Sequence, residues 1–380
     1  MNVAVVGAGP AGSLLALRLA KDGARVSLFD ASHPREKPCG GGVTAKALAL
    51  LPEAPEEDPL PARLVDLCRF ESGTGEGVDL RLARPVAVAA RRDFDAWLLR
   101  RAAAAGATHA AERVTDVDSD GLVRTSAGRA QRFDVVVGAD GAGSLVRRRL
   151  LGPVPKERLV MAAGWFAPGS ATMLVRFTPG VRGYLWLFPR PNHVGVGICA
   201  PLASVPTRDL LDRLEAEATR WFPALLEPEG GRYAHTIPSP SSDARSIREI
   251  AGERWALVGD AAALADPITG EGIYYALRSA ELLAETLRNG SGPAEYPERI
   301  LGDFGRDLLK AAALRERFYS PGFSRRMVDF CERSGAVRKI LADLVLGEQG
   351  YVGLKRRLLG AAPRFVAEWT LSRLGLHSSR

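Results

Sequence analysis

The sequence is poor in the residues that build metal centres and disulfide frameworks. Only four cysteines and five histidines occur among its 380 residues, and no two cysteines form a Cys-x-x-Cys pair. This scarcity argues against a zinc site and against a disulfide scaffold, and it fits a reducing compartment. Long apolar runs are also missing. No stretch of about 18 residues is free of charge, glycine and proline, so we expect no membrane-spanning helix.

The rest of the composition is typical of a folded protein. Hydrophobic residues make up 46% of the chain and charged residues 25%, which is ordinary for a globular protein. A length of 380 residues allows two or three domains with sizeable cores. A glycine-rich turn begins at residue 7, which leaves little room before it for a targeting peptide. We therefore expect a cytoplasmic protein.

The net charge of +7 is concentrated near the C-terminal end. From residue 303 to residue 380 there are 15 basic against 8 acidic residues, a difference of +7 that leaves the preceding 302 residues neutral. A solvated helical surface accounts for this excess, and so does a patch for anionic lipid headgroups or a phosphorylated substrate. Peripheral contact with the inner face of the membrane is therefore one expectation. We find no nucleic-acid-binding motif, and we expect no nucleic-acid partner.

The first thirty residues predict a dinucleotide-binding unit. An apolar strand leads into the turn Gly7-Ala8-Gly9-Pro10-Ala11-Gly12, which is followed by a helix and by a second strand ending at Asp30. The first glycine of such a turn permits its tightness, the second lets the backbone approach a pyrophosphate, and the third allows close helix packing. The helix N-terminus offers N–H groups to the phosphates. The acid at the end of the second strand suits the hydroxyls of a ribose.

Later segments predict further turns at the same site. The run Cys39-Gly40-Gly41-Gly42 suits a backbone that passes close to a flat group, although a flexible surface loop is the alternative. Buried strands end in Gly138-Ala139-Asp140-Gly141 and in Gly259-Asp260, and cofactors bind at the carboxyl edge of parallel sheets. Pro267-Ile268-Thr269-Gly270-Glu271-Gly272-Ile273 then opens an amphipathic helix. We expect Asp30, Asp140 and Asp260 to surround one cleft.

Between these turns the pattern changes. A hairpin is predicted within residues 63–88, inserted in the nucleotide-binding domain, and period-two strands within 159–238 are followed along the chain by helical segments from 295 onward. In one strand, Tyr184, Trp186 and Phe188 point to one face, and Leu185 and Leu187 to the other. The three aromatic side chains form either sheet core or the wall of an apolar pocket.

The order of these turns resembles the FAD-dependent oxidoreductases of the aromatic-hydroxylase type. Arg91, in Arg91-Arg92-Asp93-Phe94-Asp95, falls where that superfamily places an arginine that contacts the cofactor. Two further motifs are similar to the geranylgeranyl reductase family, namely Lys37-Pro38-Cys39-Gly40-Gly41-Gly42 and Tyr184-Leu185-Trp186-Leu187-Phe188-Pro189 followed by Gly195-Val196-Gly197. Only five residues, 190–194, separate the last two segments. This is shorter than in the family and leaves the identity of the substrate open.

The resemblance implies an α/β fold with a Rossmann-like FAD-binding domain, an inserted antiparallel β-sheet substrate domain and a C-terminal helical region. We expect the FAD-binding domain at 1–158 and 246–292, the substrate domain at 159–245 and the helical region at 293–380. By the same resemblance, Gly9 and Gly12 hold the pyrophosphate, Asp30 the ribose, and Asp260 the pyrophosphate and ribityl region. The segments 267–272 and 39–42 then lie on opposite sides of the flavin.

The function implied is reduction of a carbon–carbon double bond in an isoprenoid or similarly lipophilic substrate by hydride from reduced flavin. Tyr184, Trp186 and Phe188 would bind the substrate, while Cys39 and Tyr184 are either proton donors or residues that shape the pocket. The alternative is a FAD-dependent monooxygenase that acts through a flavin hydroperoxide, and a third reading keeps FAD as a structural or sensing ligand. The sequence has no second nucleotide motif, so NAD(P)H or ferredoxin would bind transiently as electron donor.

Overall fold

The computed structural model describes residues 1–373 apart from residues 74 and 321. The end of the predicted C-terminal helical region, 374–380, lies outside the described residues. The strands, in chain order, are β1 (Asn2–Val6), β2 (Arg25–Phe29), β3 (Gly42–Val43), β4 (Ala62–Glu71), β5 (Gly77–Ala89), β6 (Thr108–Ala110), β7 (Val114–Val117), β8 (Leu122–Thr125), β9 (Ala130–Arg132), β10 (Val135–Gly138), β11 (Leu159–Pro168), β12 (Met173–Phe177), β13 (Tyr184–Pro189), β14 (His193–Pro201), β15 (Glu229–Pro238) and β16 (Trp255–Leu257).

Helices cover both sheets and make up most of the C-terminal region. In chain order they are α1 (Pro10–Lys21), α2 (Ala45–Leu48), α3 (Arg91–Ala104), α4 (Leu145–Leu150), α5 (Thr207–Trp221), α6 (Arg245–Arg248), α7 (Ile273–Arg288), α8 (Tyr296–Ile300), α9 (Arg306–Phe318), α10 (Phe323–Arg333), α11 (Gly335–Val345) and α12 (Tyr351–Arg373). A π-helical turn, Leu301–Gly305, joins α8 to α9. None of the described helices is long and apolar enough to cross a lipid bilayer.

A five-stranded parallel sheet in the order β16-β10-β1-β2-β6 forms the nucleotide-binding half of the molecule. Its central strands β1 and β10 are apolar along nearly their whole length because helices and loops cover both faces of the sheet. Helix α1 packs against α3 and α7. Helix α7 is amphipathic as predicted, because its apolar residues from Ile273 to Leu287 are buried. The α/β fold expected from the sequence is confirmed.

The second sheet has eight strands in the order β15-β11-β14-β13-β12-β4-β5-β3. The hairpin β4–β5 was predicted as an insertion in the nucleotide-binding domain, but its strands complete this second sheet. The connection is a parallel pair between β4 and β12, in which Phe70 lies opposite Val175, so the sheet is not purely antiparallel. Strands β3, β4 and β5 thus belong to the second sheet, although they lie within the first predicted segment of the FAD-binding domain. The proposed domain limits stay a prediction.

Strand β13 separates the two faces of the second sheet as its alternation predicts. Leu185 and Leu187 lie in a buried cluster with Leu210 and Leu214 of α5. The side chains of Tyr184, Trp186 and Phe188 lie on the opposite face, which looks toward the parallel sheet and the C-terminal helices. Helices α10 and α11 pack against β5 on that side. The aromatic face is thus enclosed between the second sheet and the C-terminal region.

Candidate functional site

One cavity of about 790 Å³ follows the carboxyl edge of the parallel sheet and reaches the aromatic face of the second sheet. Asp30, Asp140 and Asp260 all line it, and they follow strands β2, β10 and β16. The other predicted site residues that line it are Gly7, Gly9, Pro10, Ala11, Cys39, Gly40, Gly41, Gly42, Arg91, Tyr184, Trp186, Phe188, Gly270, Glu271, Gly272 and Ile273. We call this cavity the flavin cleft, after the cofactor that the resemblance in sequence implies.

The glycine turn before α1 combines tight packing on one side with open space on the other. A Cβ added to Gly12 would lie 1.9 Å from the carbonyl oxygen of Gly7, so only glycine fits there. A Cβ added to Gly9 would meet nothing within 4 Å. Gly9 precedes α1 without a side-chain cap, so the N–H groups of the first helical turn remain available to an anion in the cleft.

The carboxylates of Asp30 and Asp140 differ in what they already bind. Asp30 accepts the N–H of Ala8 at 2.9 Å and both the N–H and the hydroxyl of Ser32, at 2.8 and 2.5 Å. Although burial alone would raise its pKa, these hydrogen bonds hold the pKa of Asp30 below its usual value. Asp140 accepts the Ser144 hydroxyl at 2.5 Å and the N–H of Leu145 at 2.6 Å. Asp140 therefore caps α4, and burial raises its pKa.

Asp260 forms an ion pair that the sequence did not reveal. Its carboxylate lies 2.8 Å from the ammonium nitrogen of Lys37, and both side chains are largely buried, with 17% and 14% exposed. Burial alone would raise the pKa of Asp260, but the charge and hydrogen bond of Lys37 hold it below its usual value. His235 on β15 lines the same part of the cleft. Burial, helped by the charge of Lys37, lowers its pKa to about 4, so its imidazole is neutral at neutral pH.

The triple-glycine loop and the aromatic strand form a single packing unit. A Cβ added to Gly40 would lie 2.7 Å from the ring of Phe188, and one added to Gly42 would lie 3.0 Å from it. Arg190, in the short hairpin after β13, donates hydrogen bonds to the carbonyl oxygen of Cys39 at 2.6 Å and to the carboxylate of Glu36 at 2.7 Å. The glycines thus let the loop lie against Phe188, and the short hairpin fixes the loop in place.

Trp186 explains the Gly-x-Gly segment of β14. A Cβ added to Gly197 would lie 2.1 Å from the indole ring of Trp186, its cross-strand neighbour. Only glycine lets the indole lie flat over β14 at this point. The indole N–H of Trp186 has no hydrogen-bond partner among the described residues. Apart from this one donor, the ring presents an apolar surface to the flavin cleft.

Two tyrosines hold the turn that precedes α7. The hydroxyl of Tyr184 donates to the carbonyl oxygen of Thr269, and the hydroxyl of Tyr319, just after α9, donates to that of Ile268 at 2.5 Å. Burial raises the pKa of Tyr184 well above its usual value, so this hydroxyl keeps its proton at neutral pH. In the same turn, the carboxylate of Glu271 binds Thr44 and Lys46 at the start of α2.

The part of the cleft farthest from the glycine turn is an apolar chamber. The lining side chains that β4, β5, β12, β13 and the α9–α11 region contribute are all apolar or aromatic: Phe70, Val86, Met173, Val175, Phe177, Tyr184, Trp186, Phe188, Phe318, Tyr319, Leu341, Leu344 and Val345. Charged lining residues come from the nucleotide-binding half and from β15. The chamber therefore suits a lipophilic molecule, and the opposite end suits phosphates and sugars.

Three predicted residues do not line the cleft, namely Gly12, Gly259 and Pro267. Gly12 permits the close packing of α1 against Gly7, and Gly259 adopts a positive φ of 58°. Both glycines are therefore required by the backbone conformation and not by contact with the cleft. The site also depends on four residues that were not predicted from the sequence, namely Lys37, His235, Arg190 and Tyr319. Lys37 stands within a motif that had been singled out, but no pattern in the sequence marks the other three.

The residues present fit FAD. The open space beside Gly9 and the uncapped start of α1 suit the pyrophosphate. The charged Asp30 suits a ribose, and the backbone of 39–42 passes close to the aromatic strand across from the 268–273 turn. The carboxyl-edge position of the cleft is the one at which doubly wound sheets bind nucleotides. Fold and cleft together define a FAD-dependent oxidoreductase.

Comparisons with known proteins agree. A family model described as FAD binding domain matches residues 1–214. A menaquinone reductase of Mycolicibacterium smegmatis is 31% identical over 96% of this chain and 97% of its own. A geranylgeranyl diphosphate reductase of Rhodobacter capsulatus is 30% identical over 86% of this chain and 87% of its own. The chain belongs to the geranylgeranyl reductase family of FAD-binding proteins.

Solved structures show the same fold at lower identity. A geranylgeranyl bacteriochlorophyll reductase-like protein from Thermoplasma acidophilum matches with a TM-score of 0.75 and 21% identity, covering 94% of this chain and 98% of that one. A flavin-dependent brominase matches with a TM-score of 0.72 and 20% identity, covering 91% of this chain and 94% of that one. At these identities the likeness concerns the fold and not the reaction.

Proposed function

We propose that the protein reduces carbon–carbon double bonds in the isoprenoid chain of a lipophilic substrate. The observation that carries this proposal is the continuity of the flavin cleft with the apolar chamber. Relatives named menaquinone reductase and geranylgeranyl diphosphate reductase support a substrate with a prenyl chain. Reduced FAD, when bound, supplies the hydride.

The chain's own residues confine and orient the substrate. Phe188 and Trp186 present apolar ring surfaces, and Phe318 closes the chamber from the C-terminal region. Exclusion of water from such a chamber protects a reactive reduced cofactor and strengthens the electrostatic interactions inside. Tyr184 holds the 268–272 turn, whose backbone would face the flavin. Its raised pKa makes it a poor acid, so we assign it a positioning role.

The electron donor is a second part of the proposal. We infer that NAD(P)H or ferredoxin reduces the flavin by transient contact, because the sequence contains one dinucleotide motif and the FAD would occupy it. Stopped-flow mixing of the oxidised holoenzyme with NADPH, NADH or reduced ferredoxin under anaerobic conditions would identify the donor. The effective donor should bleach the flavin absorbance within the turnover time of the enzyme.

The reaction is tested by asking what reoxidises the reduced holoenzyme. The enzyme is reduced chemically without oxygen and mixed with menaquinone or geranylgeranyl diphosphate. A prenyl reductase should recover its flavin absorbance and return a product that carries two additional hydrogens on its prenyl chain, which remain after any quinol formed from menaquinone has been reoxidised to the quinone. If neither probe reoxidises the flavin, but oxygen in their presence yields a product that has gained one oxygen atom, the protein is a monooxygenase and the proposal is wrong. A colourless protein that cannot be reconstituted with FAD would overturn both.

We also propose that α12 brings the enzyme to an anionic membrane surface, where a lipophilic substrate resides. Val352 and Leu359 are each 63% exposed, and the exposed Lys355 and Arg356 share their helical face because these positions are three, four and seven residues apart. Such a face suits the lipid interface. Vesicles containing anionic lipid should sediment the holoenzyme, neutral vesicles should not, and a Lys355→Glu/Arg356→Glu variant should stay in solution. Equal sedimentation of this variant would refute the assignment.

A further inference from the structure

A second, polar pocket of about 260 Å³ borders the turn before α7. It is enclosed by α2, the start of α7, the α8–α9 junction and the loop between α11 and α12. Of its described lining residues, Glu271 and Leu344 also line the flavin cleft, and Glu271 is the titratable one of the two. Glu271 therefore stands in the wall between a polar space and the site of the reaction.

Glu271 is held by two donors from the α2 region. One carboxylate oxygen accepts the hydroxyl of Thr44 at 3.0 Å, and the other lies 3.1 Å from the ammonium nitrogen of Lys46. The α11–α12 loop closes directly over the pair, since a Cβ on Gly347 would lie 2.1 Å from the Lys46 nitrogen and 3.3 Å from Glu271. The carboxylate thus has a fixed place between the two spaces.

A second buried carboxyl group, that of Asp266, feels the charge of the same lysine. Asp266, in the same turn, accepts the hydroxyl of Tyr351 at 3.1 Å and the N–H of Ile268 at 2.7 Å. Burial raises the pKa of both Asp266 and Glu271, and the charge of Asp266 raises the pKa of Glu271 further, against the opposing charge of Lys46. A carboxyl group whose pKa is raised by burial and by a neighbouring acid can both hold and release a proton.

The proposed reaction needs such a proton. Reduction of a carbon–carbon double bond adds one hydride, which carries both electrons, and one proton, which carries none. Among the described residues of the apolar chamber, Tyr184 is a poor acid and the hydroxyl of Tyr319 is bound to a carbonyl oxygen. The thiol of Cys39 lines the adjoining part of the cleft but not the polar pocket, so it has no contact with the pocket through which to regain a proton. Glu271 borders both spaces.

We propose that Glu271 is a proton-relay residue that passes one proton from water in the polar pocket to the flavin cleft. The neutral Glu271 gives up its proton toward the cleft, becomes a carboxylate paired with Lys46, and regains a proton from water in the pocket. The transfer of this proton to a substrate rests on the proposed function, whereas the proton path from the pocket to the cleft does not. Thr44 and Lys46 act as positioning residues.

Other charged and titratable groups around the pocket set the conditions for the relay. From the elements packed around Glu271 these are Lys46, Asp266, Tyr274, Tyr275, Asp303, Asp307, Glu348 and Tyr351. Lys46 lies 3.7 Å from the centre of the Tyr274 ring, which holds the ammonium group beside the carboxylate. The acids on the outer side make the pocket attractive to cations and hydrated protons.

The test compares the wild-type holoenzyme with Glu271→Gln, Glu271→Asp and the matched control Glu298→Gln. Glu298 makes a surface ion pair with Arg248, and its side chain is 66% exposed. All four proteins should retain FAD. Reduced enzyme mixed anaerobically with geranylgeranyl diphosphate at neutral pH should reoxidise about 10²-fold more slowly in Glu271→Gln, with recovery to within about tenfold in Glu271→Asp and no change in the control.

A second measurement does not depend on the substrate. The infrared difference between oxidised and reduced holoenzyme should contain a carboxyl C=O band that Glu271→Gln lacks and Glu298→Gln keeps. If menaquinone and geranylgeranyl diphosphate both fail to reoxidise the wild type, the proposed function fails while this band still supports the relay. If the band persists in Glu271→Gln, or if that variant reoxidises at the wild-type rate, the relay is refuted.

Discussion

In the turn before α1, an added side chain should weaken FAD binding at Gly9 but folding stability at Gly12. Gly9 has φ of −68°, which any residue adopts, and an added Cβ would meet nothing within 4 Å. Gly9→Val should therefore leave the FAD-free protein within about 0.5 kcal/mol of wild-type stability. The valine side chain would occupy the space into which the pyrophosphate must come.

The loss of FAD affinity can be bounded from the contacts at stake. A hydrogen bond from a backbone N–H to a charged phosphate contributes about 1.5–3 kcal/mol. If Gly9→Val removes one such bond, the Kd for FAD rises roughly 10- to 150-fold at about 1.4 kcal/mol per factor of ten. Gly12→Ala should act differently, because its Cβ would lie 1.9 Å from the Gly7 carbonyl oxygen and 3.1 Å from the Cβ of Ala139. Overpacking of this kind costs about 1–3 kcal/mol of folding stability.

Urea unfolding of the FAD-free proteins gives the stability, and quenching of flavin fluorescence on titration gives the Kd. Gly292→Val is the matched control, since Gly292 has φ of −75° and an added Cβ there also meets nothing within 4 Å. The control should change neither quantity. A Gly9→Val protein that binds FAD as the wild type does, or that loses as much stability as Gly12→Ala, would refute the assignment of this turn.

Three further predictions concern the rest of the cleft. Because Lys37 holds the pKa of Asp260 below its reference value of 3.8, the pair stabilises the fold above that pH and loses this effect as the pH falls. Urea unfolding at pH 7 should therefore show Lys37→Met to be less stable than the wild type by about 1–3 kcal/mol. This difference in the free energy of unfolding should shrink as the pH is lowered, and a difference that does not change with pH would contradict the pairing. Iodoacetamide should label Cys39 in the native FAD-free protein, and bound FAD should protect it. The other three cysteines should not react, because they are buried and have pKa values of about 12. Peptide mass spectrometry measures the labelling, and reaction of a buried thiol at a similar rate would count against the fold. Gly197→Ala should displace the Trp186 indole and lower the turnover of a prenyl substrate with little loss of FAD. Turnover and FAD binding are measured separately, and unchanged turnover would show that the ring does not line the working site.

The local elements follow closely from the sequence. Helix α1 follows the glycine turn as predicted, from Pro10 to Lys21, and the two faces of β13 divide as period-two alternation requires. These features depend on residues within a few positions of one another, so local geometry decides them. The cleft-lining position of the glycine turn has the same origin.

Long-range pairing accounts for what was missed. The hairpin β4–β5 joins the second sheet because β4 pairs with β12, about a hundred residues further along the chain, and no local pattern specifies that partner. Lys37 and Asp260 are separated by 223 positions, and Arg190 reaches the Cys39 loop across 151. Such contacts depend on how the two sheets are set against each other.

The sequence by itself determined that a dinucleotide-binding unit, two later carboxylate turns and an aromatic strand exist, because each depends on short-range backbone conformation and alternation. The tertiary structure alone decided what those residues touch. It places Phe188 against the triple glycine, commits Asp140 to capping α4, and turns Glu271 toward Lys46. The physical reason is that a side chain's charge state and exposure depend on neighbours that the folded chain brings together from distant positions.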